Sequence, residues 1–142
     1  MKRHLGCLAT ALLLLAGCAS TPTRNPTLYV QLGGRNGIAA ITDQLLDAFA
    51  RDPLVAPAFR HVDIGLFQTH FTDYLCQLAE GPCRYTGDSM AEVHRGMHID
   101  EATFNAVVQD LITAMNHQHV PVRVQNRLLA RLAPERKDII YR

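Results

Sequence analysis

Apolar residues recur at three- and four-residue intervals along most of the chain, which is the spacing of one face of an α-helix. The clearest stripes run from Ile38 to Phe49, from Leu66 to Leu78, from Phe104 to Met115 and from Val124 to Leu132. No segment alternates apolar and polar residues between hairpin turns, as a half-buried strand would. The sequence therefore predicts an all-α domain.

Glycine, aspartate and proline mark the predicted helix ends. Gly33-Gly34 follows a short first helical turn and suits a tight bend with positive φ. Asp63 and Asp100 precede apolar stripes and can cap the helices that begin there. Pro134 is expected to kink or end the last long helix, because proline lacks the amide proton that a helix interior needs.

The first residues have the order of a secretory signal: two basic residues, an apolar run from Leu5 to Ala16 and then small residues. Leu-Ala-Gly-Cys at residues 15–18 resembles the cleavage box of bacterial lipoproteins, in which the cysteine becomes the lipidated first residue. The other interpretation is an ordinary signal peptide with a chance cysteine at this position. We predict a signal peptide at 1–17 and a polar tether with lipidated Cys18 at 18–25. A single domain at 26–142 follows, in the bacterial periplasm or cell envelope.

Charge and composition exclude several classes of protein. The chain has 48% hydrophobic and 19% charged residues, as in an ordinary globular domain. Removing residues 1–17 takes away Lys2 and Arg3 and leaves 12 basic and 13 acidic residues. Such a near-neutral chain argues against nucleic acid as a partner.

Two histidines, His70 and His94, lie on the apolar stripes of different predicted helices. A single histidine on an apolar face is more often a core residue than a ligand. Two imidazoles projecting from separate helices into an aromatic and methionine-rich space could instead bind an iron macrocycle from its two faces. Zinc is disfavoured, because no Cys-x-x-Cys or His-x-x-x-His pair stands at suitable core positions.

Cys76 and Cys83 are the other thiols of the mature chain, seven residues apart around Gly81-Pro82. In an oxidising compartment they could form a disulfide, or Cys76 could be a small core residue. Spacing alone leaves both alternatives open, because it does not determine the distance between the two Cα atoms.

Several motifs in fixed order resemble the group 1 truncated haemoglobins, and the match spans Pro26 to Ile140. They are Leu28-Tyr29-x-x-Leu32-Gly33-Gly34, Phe59, Gly81-Pro82-x-x-Tyr85-Thr86-Gly87-x-x-Met90-x-x-Val93-His94, Ile99 and Phe104. The resemblance implies a two-over-two helical sandwich around one haem b, with His94 as the proximal iron ligand. It also implies a haem pocket with mostly apolar walls. The implied lining residues are Leu46, Phe59, Phe67, Phe71, Leu75, Tyr85, Met90, Met97, Phe104 and Val108.

The sequence departs from the family pattern on the distal side of the haem. Leu46 stands where relatives usually place a tyrosine, and Phe67 and Phe71 stand near the usual glutamine positions. His70 matches a histidine that binds iron as the sixth ligand in some members. It could do so here, or it could turn toward a haem propionate. Glu80 replaces the first glycine of the family's Gly-Gly-Pro turn.

These features predict a haem protein that binds oxygen, nitric oxide or carbon monoxide, with oxygen storage or transport as the use that the family suggests. Without the tyrosine donor, oxygen should be held weakly, since each lost hydrogen bond is worth on the order of 1 kcal/mol. Bis-histidine electron transfer, nitric oxide dioxygenation and peroxidase-like activity are alternatives that need an unidentified electron donor or oxidant. A haem-free structural or interaction lipoprotein is another.

Overall fold

The computed structural model describes residues 25–142, and within them it is helical without any strand. The predicted signal peptide and Cys18 lie outside the described residues, as does the tether up to residue 24. Two 3-10 turns, Ala56–Phe59 and Ala133–Glu135, interrupt the α-helices. The α-helices are α1 (Leu28–Gln31), α2 (Gly34–Phe49), α3 (Ile64–Leu78), α4 (Met90–Val93), α5 (Glu101–His117), α6 (Val122–Leu132) and α7 (Arg136–Ile139).

The predicted helix boundaries are confirmed at the points where the caps could be foreseen. The Asp63 carboxylate accepts a hydrogen bond from the Leu66 amide at 2.9 Å, and Asp100 caps α5 in the same way. Gly33 and Gly34 have φ values of 85° and 67°, which a residue with a Cβ rarely adopts.

Proline 134 ends a helix as expected. Helix α6 stops at Leu132, a 3-10 turn containing Pro134 follows, and the chain then resumes as α7. Helices α2 and α3 end at Phe49 and Leu78, the last residues of their apolar stripes.

The core forms where α2 packs against both α3 and α5. Leu45 of α2, Leu75 of α3 and Met115 of α5 belong to this core, with at most 1% of their surface exposed. Helix α6 is attached to the end of α5 by Gln125, whose amide donates hydrogen bonds to Asn116 and to the Val120 carbonyl, both at 2.8 Å. These contacts satisfy a polar group that would otherwise be costly to bury.

Cys76 and Cys83 form a disulfide, with their Cα atoms 5.7 Å apart. Cys76 is also completely buried. Of the two alternatives that the spacing left open, the structure therefore has the disulfide, with one of its sulfurs inside the core.

None of the helices in residues 25–142 combines the length and the apolar character that crossing a bilayer requires.

Candidate functional site

His94 lies immediately after α4, where it is half-buried. Its ring Nδ1 lies 2.8 Å from the carbonyl oxygen of Met90, one helical turn earlier. A carbonyl accepts hydrogen bonds, so this contact assigns the proton to Nδ1 and leaves the lone pair of a neutral imidazole on Nε2. That arrangement prepares Nε2 to bind a metal ion, since a metal-binding histidine usually donates its other ring proton to such an acceptor.

Helix α4 has only four residues, and a capping box stabilises its start. The Ser89 hydroxyl accepts from the Glu92 amide, and the Glu92 carboxylate accepts from the Ser89 amide at 3.1 Å. The Glu92 carboxylate also contacts the Ser89 hydroxyl at 2.6 Å. The hydrogen bond with the Ser89 side chain lowers the pKa of Glu92 most, and the hydrogen bond with the Ser89 amide lowers it further. The capping box therefore helps fix the helix that carries His94.

The C-terminal segment supports the same region. Helix α4 packs against α7, and backbone hydrogen bonds of 2.9 Å join His98 to Arg142 and Tyr141 to Ile99. The guanidinium of Arg136 lies 5.8 Å from the centre of the Phe104 ring. The chain after Pro134 thus positions the His94 segment.

His70 lies on α3, which packs on α2, so the two candidate iron ligands belong to separately supported elements. His70 is half-buried, and its ring meets the edge of Tyr85 at a centroid distance of 6.2 Å. The Tyr85 hydroxyl donates to the Asp88 carbonyl at 2.8 Å, directly before the Ser89 cap. Tyr85 therefore lies between the His70 helix and the His94 helix along the chain and contacts both regions.

A continuous row of aromatic rings runs along α3, with neighbouring ring centres 5.0 to 6.2 Å apart. In order, the row contains Phe49, Phe59, Phe67, Phe71, Tyr74 and Tyr85. Four of these rings were predicted to line the site, and Phe49 and Tyr74 were not. Both lie on apolar stripes that the sequence shows, but periodicity alone does not say which stripe residues reach the site.

Tyr74 has a buried hydroxyl with no well-formed hydrogen bond to any described residue, although the Glu135 carboxylate lies close to it. Burial raises the pKa of this phenol to about 12, and the negative charge of Glu135 adds to the effect. An orphaned buried polar group costs free energy unless a ligand or a water satisfies it.

At the end of α2, a cavity of about 390 Å³ opens beside the aromatic row. Leu46 and Phe59, two predicted site residues, line it together with Phe49 and Ile64. Apart from the Asp47 and Arg60 side chains, its lining is apolar.

The remaining predicted site residues differ in exposure. Met97 is 42% exposed, whereas Leu75 is only 1% exposed and lies in the closed core against α2. The half-buried ones are Phe67, Phe71, Tyr85, Met90, Phe104 and Val108. Leu66 and Val93, on the helices that carry the two histidines, are also about half exposed, at 56% and 49%. Exposed and half-exposed apolar side chains beside an imidazole with a free Nε2 fit a large apolar group that carries a metal ion.

The other histidines of the described chain are exposed: His61, His98, His117 and His119. Within residues 25–142, no three His, Cys, Asp or Glu side chains gather as a cluster that could hold a metal ion. An iron ion brought by a macrocycle needs only one or two protein ligands.

Comparison with known proteins agrees with this geometry. The model of the bacterial-like globin family matches residues 27–140. The group 1 truncated hemoglobin GlbN of Nostoc sp. is 35% identical over 89 residues, which cover 63% of this chain and 75% of that relative. This chain belongs to the group 1 truncated haemoglobins. The homologue from Tetrahymena pyriformis is 29% identical over 80% of this chain and 94% of its own.

Solved structures show the same fold. The crystal structure of the Tetrahymena pyriformis truncated hemoglobin in its Fe(III) form has a TM-score of 0.79 and 28% identity, over 82% of this chain and all of that chain. The 2/2 hemoglobin of Synechococcus sp., at 19% identity and a TM-score of 0.76, supports the fold alone. The predicted all-α, two-over-two fold is confirmed, and the truncated haemoglobin is a haem-binding globin with haem b as its cofactor.

Proposed function

We propose that this truncated haemoglobin binds a diatomic ligand at haem iron, with His94 as the proximal ligand and His70 as the sixth ligand at rest. The observation that carries the proposal is the 2.8 Å contact between His94 Nδ1 and the Met90 carbonyl. It fixes the imidazole in the orientation and tautomer that leave Nε2 available for iron. Family membership supplies the cofactor that this nitrogen would bind.

Haem iron, when bound, supplies a coordination position for a small diatomic ligand. The side chains of Leu46, Phe67 and Phe71 offer no N–H or O–H to a polar ligand at that position. A ligand that depends on a donated hydrogen bond, as oxygen does, would therefore be held weakly. His70, on the same helix as Phe67 and Phe71, is half-buried and has a ring nitrogen able to bind iron.

The Tyr85 ring supports this role for His70. It contacts the imidazole with its edge at a centroid distance of 6.2 Å, and its own hydroxyl is engaged with the Asp88 carbonyl. The ring therefore limits the space available to His70 without competing for its nitrogens. Displacement of His70 from iron would then control access of a gas to the haem.

Absorption spectra test the assignment. We compare the haem-loaded chain from Ala19 onward with His70→Ala and His94→Ala, and we use His117→Ala as the control because His117 is an exposed histidine at the end of α5. We expect low-spin ferric and ferrous spectra for the parent and the control. His70→Ala should become high-spin and bind carbon monoxide at least tenfold faster, and His94→Ala should lose haem.

Two results would overturn parts of the proposal. A high-spin parent means that His70 does not bind iron, which favours the orientation toward a propionate. Absence of a Soret band from a protein that is folded by circular dichroism would reject haem binding altogether and favour a haem-free lipoprotein.

We also propose that the mature protein is lipid-anchored through Cys18 and faces an oxidising compartment of the cell envelope. The cleavage-box sequence at residues 15–18 supports this, and so does the Cys76–Cys83 disulfide, since disulfides persist mainly in oxidising compartments. Mass spectrometry of the membrane fraction should find an acylated N-terminal Cys18. Cys18→Ser should abolish acylation, whereas Cys7→Ser, within the apolar run, should not. An unmodified mature N-terminus would contradict the proposal.

A further inference from the structure

The last third of the domain contains a long stretch without acidic residues. Between Asp110 and Glu135 the sequence has three arginines and two histidines but no aspartate or glutamate. Residues 25–142 as a whole hold 11 basic and 13 acidic residues, so this stretch is basic within a slightly acidic domain. A local excess of positive charge favours contact with an anionic partner.

Helix α6 presents this charge to solvent along one side. Arg123 and Arg127 are exposed and one turn apart, so they lie on the same face. Val124 and Leu128, which follow the two arginines directly in the sequence, are buried on the adjoining side of the helix.

The third arginine of the stretch is neutralised by local contacts. Arg131 donates to the Leu78 carbonyl at 2.6 Å and pairs with the Glu80 carboxylate at 2.9 Å. Arg123 and Arg127, in contrast, form no ion pair with any residue in the described range 25–142. Two positive charges are thus left for an external anion.

Two exposed valines lie on α6 and on the neighbouring helix α1. Val122 is 67% exposed at the start of α6, and Val30 is 59% exposed on α1, which packs against α6. A shallow groove of about 210 Å³ lies between the α1–α2 turn and the loop that joins α5 to α6, and Gln31 and Pro121 are among its lining residues. Along the chain, Val30 directly precedes Gln31 and Val122 directly follows Pro121. We call the exposed residues Val30, Val122, Arg123 and Arg127, on these two adjacent helices, the α1–α6 face.

The tether leads to this same surface. Only six residues, 19–24, separate Cys18 from Asn25, and α1 begins three residues later at Leu28. Even a fully extended chain of that length spans no more than about 25 Å. The anchor that we propose at Cys18 would therefore keep Asn25, three residues before α1, within that distance of the lipid headgroups.

We propose that the α1–α6 face lies against anionic phospholipid headgroups, with Arg123 and Arg127 facing the phosphates and the two valines entering the interface. The inference rests on the lipid anchoring proposed above. It adds a defined orientation, in which α1 and α6 face the bilayer. Basic residues next to an anionic membrane each strengthen binding by on the order of fivefold.

Vesicle binding by the unlipidated, haem-loaded chain from Ala19 tests the face independently of the anchor. We use vesicles of 30% phosphatidylglycerol in phosphatidylcholine, and pure phosphatidylcholine for comparison. We expect binding only to the anionic vesicles, with loss of binding as salt increases. Arg123→Gln/Arg127→Gln should lower the partition coefficient by about tenfold or more.

The matched control removes the same charge elsewhere. Arg51 and Arg84 are exposed and form no ion pair within residues 25–142, so Arg51→Gln/Arg84→Gln should stay within about twofold of the parent. Val122→Asn should weaken binding severalfold, and Leu54→Asn, at another exposed apolar residue, should not.

Each opposite outcome has a definite meaning. Equal losses in the two double variants would show that net charge alone controls binding and would overturn the proposal. Absence of binding of the parent chain to anionic vesicles would also overturn the proposal and would favour a protein partner as the occupant of this face. Failure of Cys18 acylation is a separate result, because the vesicle assay uses the unlipidated chain.

Discussion

Cys76, in the last turn of α3, is bonded to Cys83 across the Gly81-Pro82 turn, with the two Cα atoms 5.7 Å apart. The Cys83 sulfur also lies 3.2 Å from the guanidinium of Arg35 on α2, which pairs in turn with Asp73 on α3. The disulfide therefore ties the segment that leads toward His94 to the α2–α3 pair. Its contribution should be measurable both in stability and in retention of haem.

Reducing the disulfide is expected to lower the free energy of unfolding by about 2 to 3 kcal/mol, because a short closed loop then regains conformational freedom in the unfolded chain. Denaturant unfolding with and without dithiothreitol measures the difference. The Cys76→Ala/Cys83→Ala variant is the control. Its stability should not respond to dithiothreitol, and a response would show that the reductant acts elsewhere.

Ser89→Ala should weaken the helix that positions His94. Loss of an N-cap side chain costs about 1 kcal/mol, which corresponds to roughly fivefold faster loss of haem if α4 is needed only in the bound state. Transfer of haem to excess apomyoglobin measures the rate. Ser20→Ala, in the predicted tether, is the matched serine control and should leave the rate unchanged. Equal rates for the parent and Ser89→Ala would show that α4 is held by its contacts with α7 rather than by its cap.

Asp110→Asn should stabilise the protein at neutral pH. Burial, and then the nearby Asp52 carboxylate, raise the pKa of Asp110, and one of its oxygens is buried without a hydrogen-bond partner among residues 25–142. Because the folded pKa lies above the unfolded one, the folded state binds more protons between the two values. The stability contributed by protonated Asp110 is therefore present at low pH and is lost as pH rises through the folded pKa.

Unfolding curves between pH 3 and pH 8 test this expectation. We expect Asp110→Asn to gain about 0.5 to 1 kcal/mol at pH 7 and to show a weaker decline as pH rises above 4. Asp47→Asn, an exposed aspartate on α2, should follow the parent. A loss of stability in Asp110→Asn at pH 7 would mean that the ionised carboxylate has a favourable partner.

Glu80→Gly should be at least as stable as the parent. Glu80 has a φ of 64°, a conformation that costs a residue with a Cβ about 1 kcal/mol relative to glycine. Its exposed ion pair with Arg131 contributes no more than about 1 kcal/mol in return. Glu80→Gln removes the charge but keeps the backbone strain, so it should be less stable than Glu80→Gly in denaturant unfolding. A Glu80→Gly variant that is less stable than the parent would show that the Arg131 pair outweighs the strain.

Neighbouring residues in the chain explain why much of the fold could be predicted. Ile38 and Leu45 share a helix face because they are seven residues apart, and Asp63 caps α3 because the first free amides lie within its reach. His94 stands beside Met90 for the same reason, since four residues make about one helical turn. Such relations depend on the local backbone alone.

Contacts between distant segments could not be predicted in this way. Leu75 shares an apolar stripe with Phe71, yet it enters the closed core against α2, whereas Phe71 remains in the half-buried aromatic row. The apolar stripe of α3 is wider than the area that one neighbouring helix covers. The helices that pack on α3 therefore determine which stripe residues lie in the core and which lie at the site.

The sequence by itself determined the all-α fold, the two candidate iron ligands and the order of the family motifs, because helix periodicity and motif spacing are properties of the continuous chain. The tertiary structure decided that Cys76 and Cys83 are joined, that Asp110 lies near Asp52, and that Arg131 is paired while Arg123 is not. Packing sets these relations, because it brings the faces of different helices together across the domain. The spacing of residues along one helix does not determine the distance between residues on two different helices.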